Sequence, residues 1–446
     1  MLIDEQGPVT SLTDYLDRGG GEGYIRARSM NPDDVIGMLR AAGLRGRGGA
    51  GFPTAIKWQG IRDSECERHF ICCNAAEGEP GTFKDRFLIR HNPYRMLEGL
   101  AIAQHVLNAE TAYVVTKASY APEIERIERA YEEMKFATPM MDHVELVYGP
   151  DEYLFGEEKA LVSVVDGGLP MPRVFPPYMQ GLFSGAWAGP DERHNNPTVV
   201  NNVETLSHVA NIVKNGPQWF RAEGTPTTPG TMIFCVSGDV KQPNVLELPL
   251  GVTLRELIYE HGGGPRGQRV KMVFPGVAGP LVTEAMLDTP LDFDALRNAG
   301  SGLGSGGFIV ADNTACAVQA AYVFSHFLSI ESCNQCTSCK LGSREITQRL
   351  RALLDGRARR DDVEEILDIA SWVTGGHRCA LPVSEQLVIS AFIERFPDDF
   401  RAHLDGVCNL RHDMTIPKMK DYEPGRGFTY DEKYALKQPD WTYLKA

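Results

Sequence analysis

The sequence predicts a multidomain α/β protein: an α/β domain, then a small α+β module, then a helical region carrying four ligand-type cysteines. Three observations carry this. At 446 residues the chain exceeds what one ordinary core organises, so about three domains are expected. Apolar bursts alternate with helical patterns up to about residue 205, which is α/β order. Past Thr314 the apolar spacing becomes helical.

Residues 1–30 are polar and glycine-rich around Gly19 to Gly23 and read as an arm lying on another surface. Asn31-Pro32-Asp33-Asp34 gives a capping amide, a first-turn proline and two acids at the positive end of a helix that runs to Gly43. Phe70 to Cys73 and Tyr113 to Thr116 read as buried strands, and 94–107 and 122–134 as helices. The stretch 181–197 lacks periodicity and reads as a long irregular loop.

After the Thr-Pro-Thr-Thr-Pro-Gly linker at 225–230, residues 232–237, 245–248 and 270–274 read as strands, with a Thr253-Leu-Arg-Glu256 capping box opening a short helix. Helices follow over 314–329 and 340–354, from Asp361, and over 383–395; the tail beyond Arg401 reads as lying on a neighbouring surface. The expected segments are thus 1–30, 31–225, 230–310, 314–402 and 403–446.

Lys and Arg number 45 against 59 Asp and Glu, a formal charge of −14, which excludes non-specific attraction to nucleic acid or anionic lipid. No signal-peptide order and no apolar run of membrane-spanning length is present, so a reducing cytoplasm is expected, with any membrane association through a partner. There, cysteines serve as ligands or core thiols rather than disulfides.

Cys333-Asn-Gln-Cys336-Thr-Ser-Cys339 with a distant Cys379 is the strongest chemical signal. Two-residue gaps let consecutive sulfurs converge on one inorganic core that a remote fourth thiolate can close. Structural zinc usually pairs its ligands two and two, so three plus one favours a cubane iron–sulfur cluster. Cys66, Cys72, Cys235, Cys316 and Cys408 are expected to be packed or surface thiols.

Gly46-Arg47-Gly48-Gly49-Ala50-Gly51 fits G-x-G-x-x-G, but a helix precedes it where the dinucleotide fingerprint needs a strand. An ordinary Rossmann site is therefore not expected. Its glycines still let backbone N–H groups close on an anion or a flat ring, with Arg47 and Lys57 as cations available to a phosphate. Asn74 to Gly81 after a strand, and Val199 to Thr205 before a helix, supply amides and carboxylates that suit a flavin edge or a ribose. A nicotinamide yields hydride and an iron–sulfur cluster takes single electrons, so a flavin is expected between them.

Segments 43–58, 73–86, 156–161 and 201–205, with Glu331-Ser-Cys333 and the cysteines after it, resemble the ordered signatures of the NADH- and flavin-binding subunit of respiratory complex I. They are similar too to its relatives in NAD-linked formate dehydrogenases and hydrogenases. The resemblance implies FMN at Gly46, Arg47, Gly48, Gly49, Lys57, Asn74, Glu77, Gly156, Glu157, Glu158, Val200, Asn201, Asn202 and Thr205. It implies NADH near Phe52, Glu79, Glu158 and Tyr178, and a [4Fe-4S] cluster on Cys333, Cys336, Cys339 and Cys379. Hydride transfer needs no general acid or base, so no catalytic side chain is assigned. The resemblance further implies a ubiquitin-like β-grasp module over 230–310, a helical bundle carrying the cluster, and a hetero-oligomer with a thioredoxin-like iron–sulfur subunit and a larger catalytic or electron-accepting subunit.

Departures from the family pattern fall mainly on the nicotinamide nucleotide. Ala76 replaces an acid, Phe175 a lysine and Gly60 an aromatic that can sandwich adenine, and Asp191-Glu-Arg-His194 is inserted before Pro197. Two functions follow: an NAD(H)–FMN–[4Fe-4S] electron-transfer subunit, or a flavin and iron–sulfur relay with a degenerate NAD site. A structural subunit without flavin is a third.

Overall fold

The computed structural model describes residues 1–184 and 194–444 and divides into two compact units. The first comprises Met1–Gly78, Phe83–Ile233 and Glu247–Gly251, the second Glu79–Thr82, Phe234–Leu246 and Val252–Ala446. Part of the loop expected over 181–197, including Asp191 to Arg193 of the insertion, lies outside the described residues.

The first unit opens with α1 (Leu12–Asp17), α2 (Glu22–Ser29), α3 (Pro32–Ala42) and α4 (Thr54–Arg62). Then come β1 (Phe70–Ala75), α5 (Lys84–His91), α6 (Pro93–Leu107), β2 (Thr111–Lys117) and α7 (Ala121–Ala137). It continues through β3 (Val144–Gly149), α8 (Glu158–Val165), β4 (Thr198–Asn202), α9 (Val203–Asn215) and α10 (Pro217–Arg221). Asn31 caps α3 as its sequence requires, its side chain accepting from the Asp33 N–H, and Gly43 ends the helix at φ 70°.

β3, β2, β1 and β4 pair in that order, all parallel. Parallel strands are covered on both faces, which is why Phe70, Ile71, Cys72 and Cys73 are all 0% exposed without alternation. One sheet face packs Phe70, Cys72, Tyr113 and Val115 against Phe155, Leu161 and Leu182. α6 and α9 pack together so closely that a Cβ on Gly99 would lie 1.9 Å from the Leu206 carbonyl oxygen.

Residues 1–30 are not an arm on another surface. Leu2, Val9 and Ala27 are fully buried, and α2 packs on α6 and α9. The buried Glu98 carboxylate accepts from the Tyr15 hydroxyl and from the Gly21 and Tyr24 N–H groups at 2.8 Å. The glycines serve this turn, Gly19 and Gly21 having φ of 78° and 83°.

A second, mixed sheet runs β6, β5, β9, β7, β8. Its strands and the helices between them are β5 (Thr231–Gly238), β6 (Asn244–Pro249), α11 (Leu254–Glu256), β7 (Val270–Pro275), β8 (Val282–Thr283), α12 (Phe293–Asn298) and β9 (Gly307–Asp312). β9 is parallel to β5 and antiparallel to β7. The Thr253–Glu256 capping box is formed. Five helices follow: α13 (Ala317–Glu331), α14 (Thr337–Leu354), α15 (Asp362–Trp372), α16 (Leu381–Arg395) and α17 (Pro397–Leu404). α13 packs on α14 and α16, and α15 on α14 and α16.

The tail is a second correction. It forms an antiparallel hairpin, β10 (Met419–Glu423) and β11 (Gly427–Tyr430), and then packs on its own unit. Lys437 meets Glu331 at 2.9 Å, both nearly fully buried, and Trp441 Nε1 donates to the Ile330 carbonyl at 3.0 Å.

Among these helices the fully buried Glu385 carboxyl accepts from the Ser325 hydroxyl at 2.6 Å, while its Oε2 has no partner among the described residues. Burial pushes its pKa up to about 8, so it is largely neutral at pH 7. Since the folded value is raised, its contribution to stability is complete below the ordinary 4.5 and is lost as pH climbs toward 8. Glu385→Gln should match the parent at pH 4.5 and exceed it at pH 8, by about 1.4 kcal/mol per pH unit of that window. Paired thermal melts at the two pH values test this; a constant difference between the proteins would contradict it.

Candidate functional site

The connection leaving β1 leads to β2 on one side, while β4 lies on the other, with Asn74 in register with Asn202. In an open parallel sheet such a divergence leaves a crevice outside the carboxyl ends of the strands, the usual seat of a ligand. Asn74, Glu77, Val200, Asn201, Asn202 and Thr205 all lie at or just beyond those ends.

The glycine loop joins α3 to α4. The Gly46 N–H donates to the Phe52 carbonyl at 2.9 Å, closing the loop, and the Arg47 N–H donates to Thr205 Oγ1 at 2.9 Å. Among the described residues the Gly48 and Gly49 N–H groups have no protein partner, and Gly49 has φ 118°. A Cβ on Gly48 would stand 3.3 Å from Asn202 Cβ, so the loop and the end of β4 already touch.

Arg47 corrects a sequence expectation. Its guanidinium is 0% exposed and donates to the Pro229 and Arg45 carbonyls at 3.0 and 3.3 Å, so it offers no cation to a phosphate. Burial lowers its pKa to about 10, with Glu204 opposing. Lys57 Nζ donates to Glu158 Oε2 at 2.8 Å and to the Val200 carbonyl at 2.9 Å, which leaves one of three donors for a ligand.

The acids are largely committed to the fold. Glu77 accepts from the Asp85 N–H at 3.1 Å at the start of α5 and pairs with Arg86 at 3.5 Å. Glu157 caps α8 through the Lys159 and Ala160 N–H groups, and burial raises its pKa to about 7. Asn74 Nδ2 donates to the Gly156 carbonyl at 2.8 Å, where a Cβ on Gly156 would come within 3.0 Å of the Ala76 oxygen. Asn201 Oδ1 accepts from Trp58 Nε1 at 2.8 Å, so its amide N–H groups are fixed in direction.

Beneath the crevice lies a buried charge network whose members Lys84 and Asp85 were not foreseen as site residues. Lys84 Nζ is 2.6 Å from Asp85 Oδ1, 3.1 Å from Glu204 Oε2 and 3.0 Å from Asn202 Oδ1, and Asn202 Nδ2 donates to Asp85 Oδ2 at 2.6 Å. Burial pulls the Lys84 pKa down, but Asp85, Glu204 and Glu77 outweigh it and the ammonium stays charged. Burial raises Asp85 to about 7 against the pull of Lys84. The signal was present in Phe83-Lys-Asp-Arg86, three charges opening a helix that is otherwise mostly apolar or buried.

Of the nicotinamide candidates in this unit, Phe52 and Tyr178 are 53% and 56% exposed, so their rings are available for stacking, as is Phe175 at 50%. Among the described residues Tyr178 shares no hydrogen bond with the cradle. At Gly60 a Cβ would meet nothing within 4 Å. Glu79 belongs to the second unit, where its carboxylate accepts from the Val277 N–H at 2.6 Å.

In that unit Cys333 follows α13, Cys336 is the N-cap of α14, Cys339 lies in the first turn of α14, and Cys379 precedes α16. Asn334 at φ 60° turns the chain between the first two cysteines, its Nδ2 donating to the Ser332 carbonyl at 3.1 Å. Two bonds tie the Cys379 loop to this one: Arg378 Nη1 to Gln335 Oε1 at 2.7 Å, and the Ser338 hydroxyl to the Gly375 carbonyl. Gln335 Nε2 donates to Cys333 Sγ at 3.3 Å and Ser332 Oγ lies 3.4 Å from Cys339 Sγ. Burial, reinforced by Cys333 and Cys336, pushes the Cys339 thiol up to about 11. An all-thiol donor set with hydrogen-bond donors on the sulfurs, at the positive end of a helix, fits a thiolate-bound cluster.

Cys72 and Cys235 are buried in strands, as expected, but Cys316 and Cys408 are not isolated thiols. Their sulfurs and nitrogens of His403 and His412 all lie within 4.8 Å of one another.

Comparison with known proteins matches the two halves of this arrangement separately. Residues 39–211 match the family described as the Nuo51 FMN-binding domain, 319–403 the NADH-ubiquinone oxidoreductase-F iron-sulfur binding region, and 233–275 the SLBB domain. The second NADH-quinone oxidoreductase F-type protein of Rhizobium meliloti (strain 1021) is 37% identical over 91% of this chain and 97% of its own. The chain belongs to the NADH-quinone oxidoreductase F-type family. Another relative is the NADP-reducing hydrogenase subunit HndC of Solidesulfovibrio fructosivorans, 32% identical over 92% of this chain and 85% of its own. Among solved structures, NAD+-reducing [NiFe]-hydrogenase in its H2-reduced state superposes with a TM-score of 0.78 at 34% identity, covering 89% of this chain and 67% of that one.

Proposed function

We propose that this protein takes hydride from NADH at an FMN seated across the carboxyl ends of β1 and β4. Electrons then leave singly through a [4Fe-4S] cluster on Cys333, Cys336, Cys339 and Cys379. The chain is an FMN-, NADH- and iron–sulfur-binding electron-transfer subunit of complex I-like and hydrogenase assemblies. The observation that carries the site assignment is the register of Asn74 with Asn202 beside the open Gly48 and Gly49 N–H groups. FMN supplies the conversion of a two-electron donor into single electrons.

The residues divide by what they still have to offer. Gly48 and Gly49 present N–H groups to a phosphate, and Lys57, held by Glu158 and the Val200 carbonyl, presents one ammonium proton. Asn201, fixed by Trp58, directs its amide N–H groups at the ligand. Glu77, Glu157, Asn202 and Thr205 act mainly by positioning, since their polar atoms are spent on neighbouring protein groups. Phe52 and Tyr178 offer ring faces to the adenine, with Glu158 as a further nucleotide contact.

The relay reading with a decayed NAD site is not favoured, because the relatives are named for NADH, NADP or NAD+ chemistry. Phe175 and Gly60 then mark a nucleotide pocket rebuilt with exposed aromatics, whereas Ala76 is fully buried in the hydrophobic core. Anaerobic titration of the purified protein with NADH should bleach the flavin absorbance; an unbleached flavin at millimolar NADH overturns the proposal.

For the finer architecture, we propose that 230–310 forms a β-grasp module and 314–402 a helical bundle around the cluster. The parallel pairing of β5 with β9 and the mutual packing of α13 to α16 support this. Relatives that are subunits of larger complexes imply a hetero-oligomer, in which a thioredoxin-like iron–sulfur subunit and a larger electron-accepting subunit are the proposed neighbours. No helix among the described residues is long and apolar enough to cross a membrane, so any attachment to one is proposed to come through a partner.

A further inference from the structure

We infer that Cys316, His403, Cys408 and His412 form a structural zinc site, separate from the flavin and the iron–sulfur cluster. Cys316 Sγ lies 3.1 Å from His403 Nε2, Cys408 Sγ lies 3.5 Å from His412 Nε2, and all four donor atoms fall within 4.8 Å of one another. A tetrahedral ion with Zn–S of about 2.3 Å and Zn–N of about 2.0–2.1 Å has ligand-to-ligand edges of about 3.3–3.8 Å. The four atoms therefore need only small shifts to enclose one ion. Two thiolates and two imidazoles are also the ligand set that such an ion favours, and two thiolates neutralise its charge in a half-buried place.

The backbone brings these residues together without help from the side chains. Cys316 is the N-cap of α13, and its N–H donates to the Arg411 carbonyl at 3.2 Å, while the Arg411 N–H donates to the Thr314 carbonyl at 2.8 Å. This ladder sets His412 beside Cys316. His403 lies in the last turn of α17. That helix ends with the Val407 N–H on the Ala402 carbonyl at 2.9 Å and the Gly406 N–H on the His403 carbonyl at 3.2 Å, a Schellman turn with Gly406 at φ 67°. The turn folds Cys408 back toward His403.

The imidazole is prepared as well. His403 Nδ1 lies 3.3 Å from the Leu353 carbonyl, an acceptor, so Nδ1 carries the proton and the Nε2 lone pair faces Cys316. The His403 and His412 rings stack with centroids 5.2 Å apart, which fixes both planes. Cys316 and His403 are buried, Cys408 is partly so and His412 is exposed, which leaves an entry path for the ion.

Zinc has no redox chemistry, so its part is to clamp the segment after α17 to the start of α13. The other end of α13 delivers Cys333. A 15-residue helix is about 22 Å long, which keeps the clamp apart from the cluster ligands while bracing the helix that presents one of them.

Elemental analysis of the full-length protein, expressed with zinc supplied and purified without chelator, should give about one zinc per chain in addition to its iron. X-ray absorption at the zinc edge should show two sulfurs and two nitrogens at about 2.3 and 2.0 Å. Because Cys316 is buried and its replacement could prevent folding, the decisive variants are His412→Ala and Cys408→Ser, which should lower bound zinc about tenfold or more and leave iron and flavin contents unchanged. Zinc absent from iron- and flavin-replete protein, zinc unaffected by both variants, or a Cys316–Cys408 disulfide in the mass spectrum would each overturn the assignment.

Discussion

Lys84→Met should destabilise the first unit by about 3–5 kcal/mol and release the flavin. Lys84 is 1% exposed and is the cation shared by Asp85 at 2.6 Å and Glu204 at 3.1 Å, themselves 5% and 0% exposed at the side chain. Its removal leaves two acids in the interior without their cation, held by the Asn202 amide on one and the Ile233 N–H on the other. A buried pair adds little over an apolar substitute, but half a pair is costly, and that asymmetry sets the expected magnitude. Urea unfolding followed by far-ultraviolet circular dichroism, with flavin fluorescence read in parallel, measures both effects. The triple change Lys84→Met, Asp85→Asn, Glu204→Gln should recover part of the lost stability, because neither Asp85 nor Glu204 is then an anion without its cation. A single variant with an unchanged midpoint would falsify the view that this network supports the crevice floor.

That network also shows where reading the sequence stops. Local signals were legible because the partner atoms lie a few residues away: Asn31 capping Asp33, Thr253 with Glu256. The parallel strands were legible in Phe70 to Cys73 because burial on both faces removes alternation. Residues 12–29 were missed because what orders them is Glu98, more than seventy positions away, and glycine content spoke louder than two short helices. The three cysteines at 333, 336 and 339 with the distant Cys379 announced themselves by spacing, whereas Cys316 and Cys408 gain meaning only when the Ala315–Arg411 bridge brings them together. Charge alone suggested Arg47 as a phosphate ligand; its burial against the Pro229 carbonyl could not be read from a glycine-rich motif.

Cys379→Ser should remove the cubane [4Fe-4S] signal from reduced protein, lower iron from about four per chain, and cut electron delivery to partner subunits by more than the about 10–100-fold that loss of an outer-shell partner costs. NADH should still bleach the flavin, because Asn74, Lys57 and Asn201 belong to the first unit and Cys379 to the second. This ligand is the sharpest test of the three-plus-one set: Cys333, Cys336 and Cys339 lie around the start of one helix, and the Arg378–Gln335 and Ser338–Gly375 bonds bring the remote loop to them. Arg378→Ala should therefore weaken the cluster without abolishing it, by freeing the loop while keeping the sulfur. Low-temperature EPR of dithionite-reduced protein, iron analysis, and turnover with a two-electron flavin acceptor against the natural one-electron exit separate these outcomes. If Cys379→Ser kept full iron and an unaltered signal, the fourth ligand would have to be another residue, and the coupling of the α14 and α16 loops would need a purpose other than closing the cage.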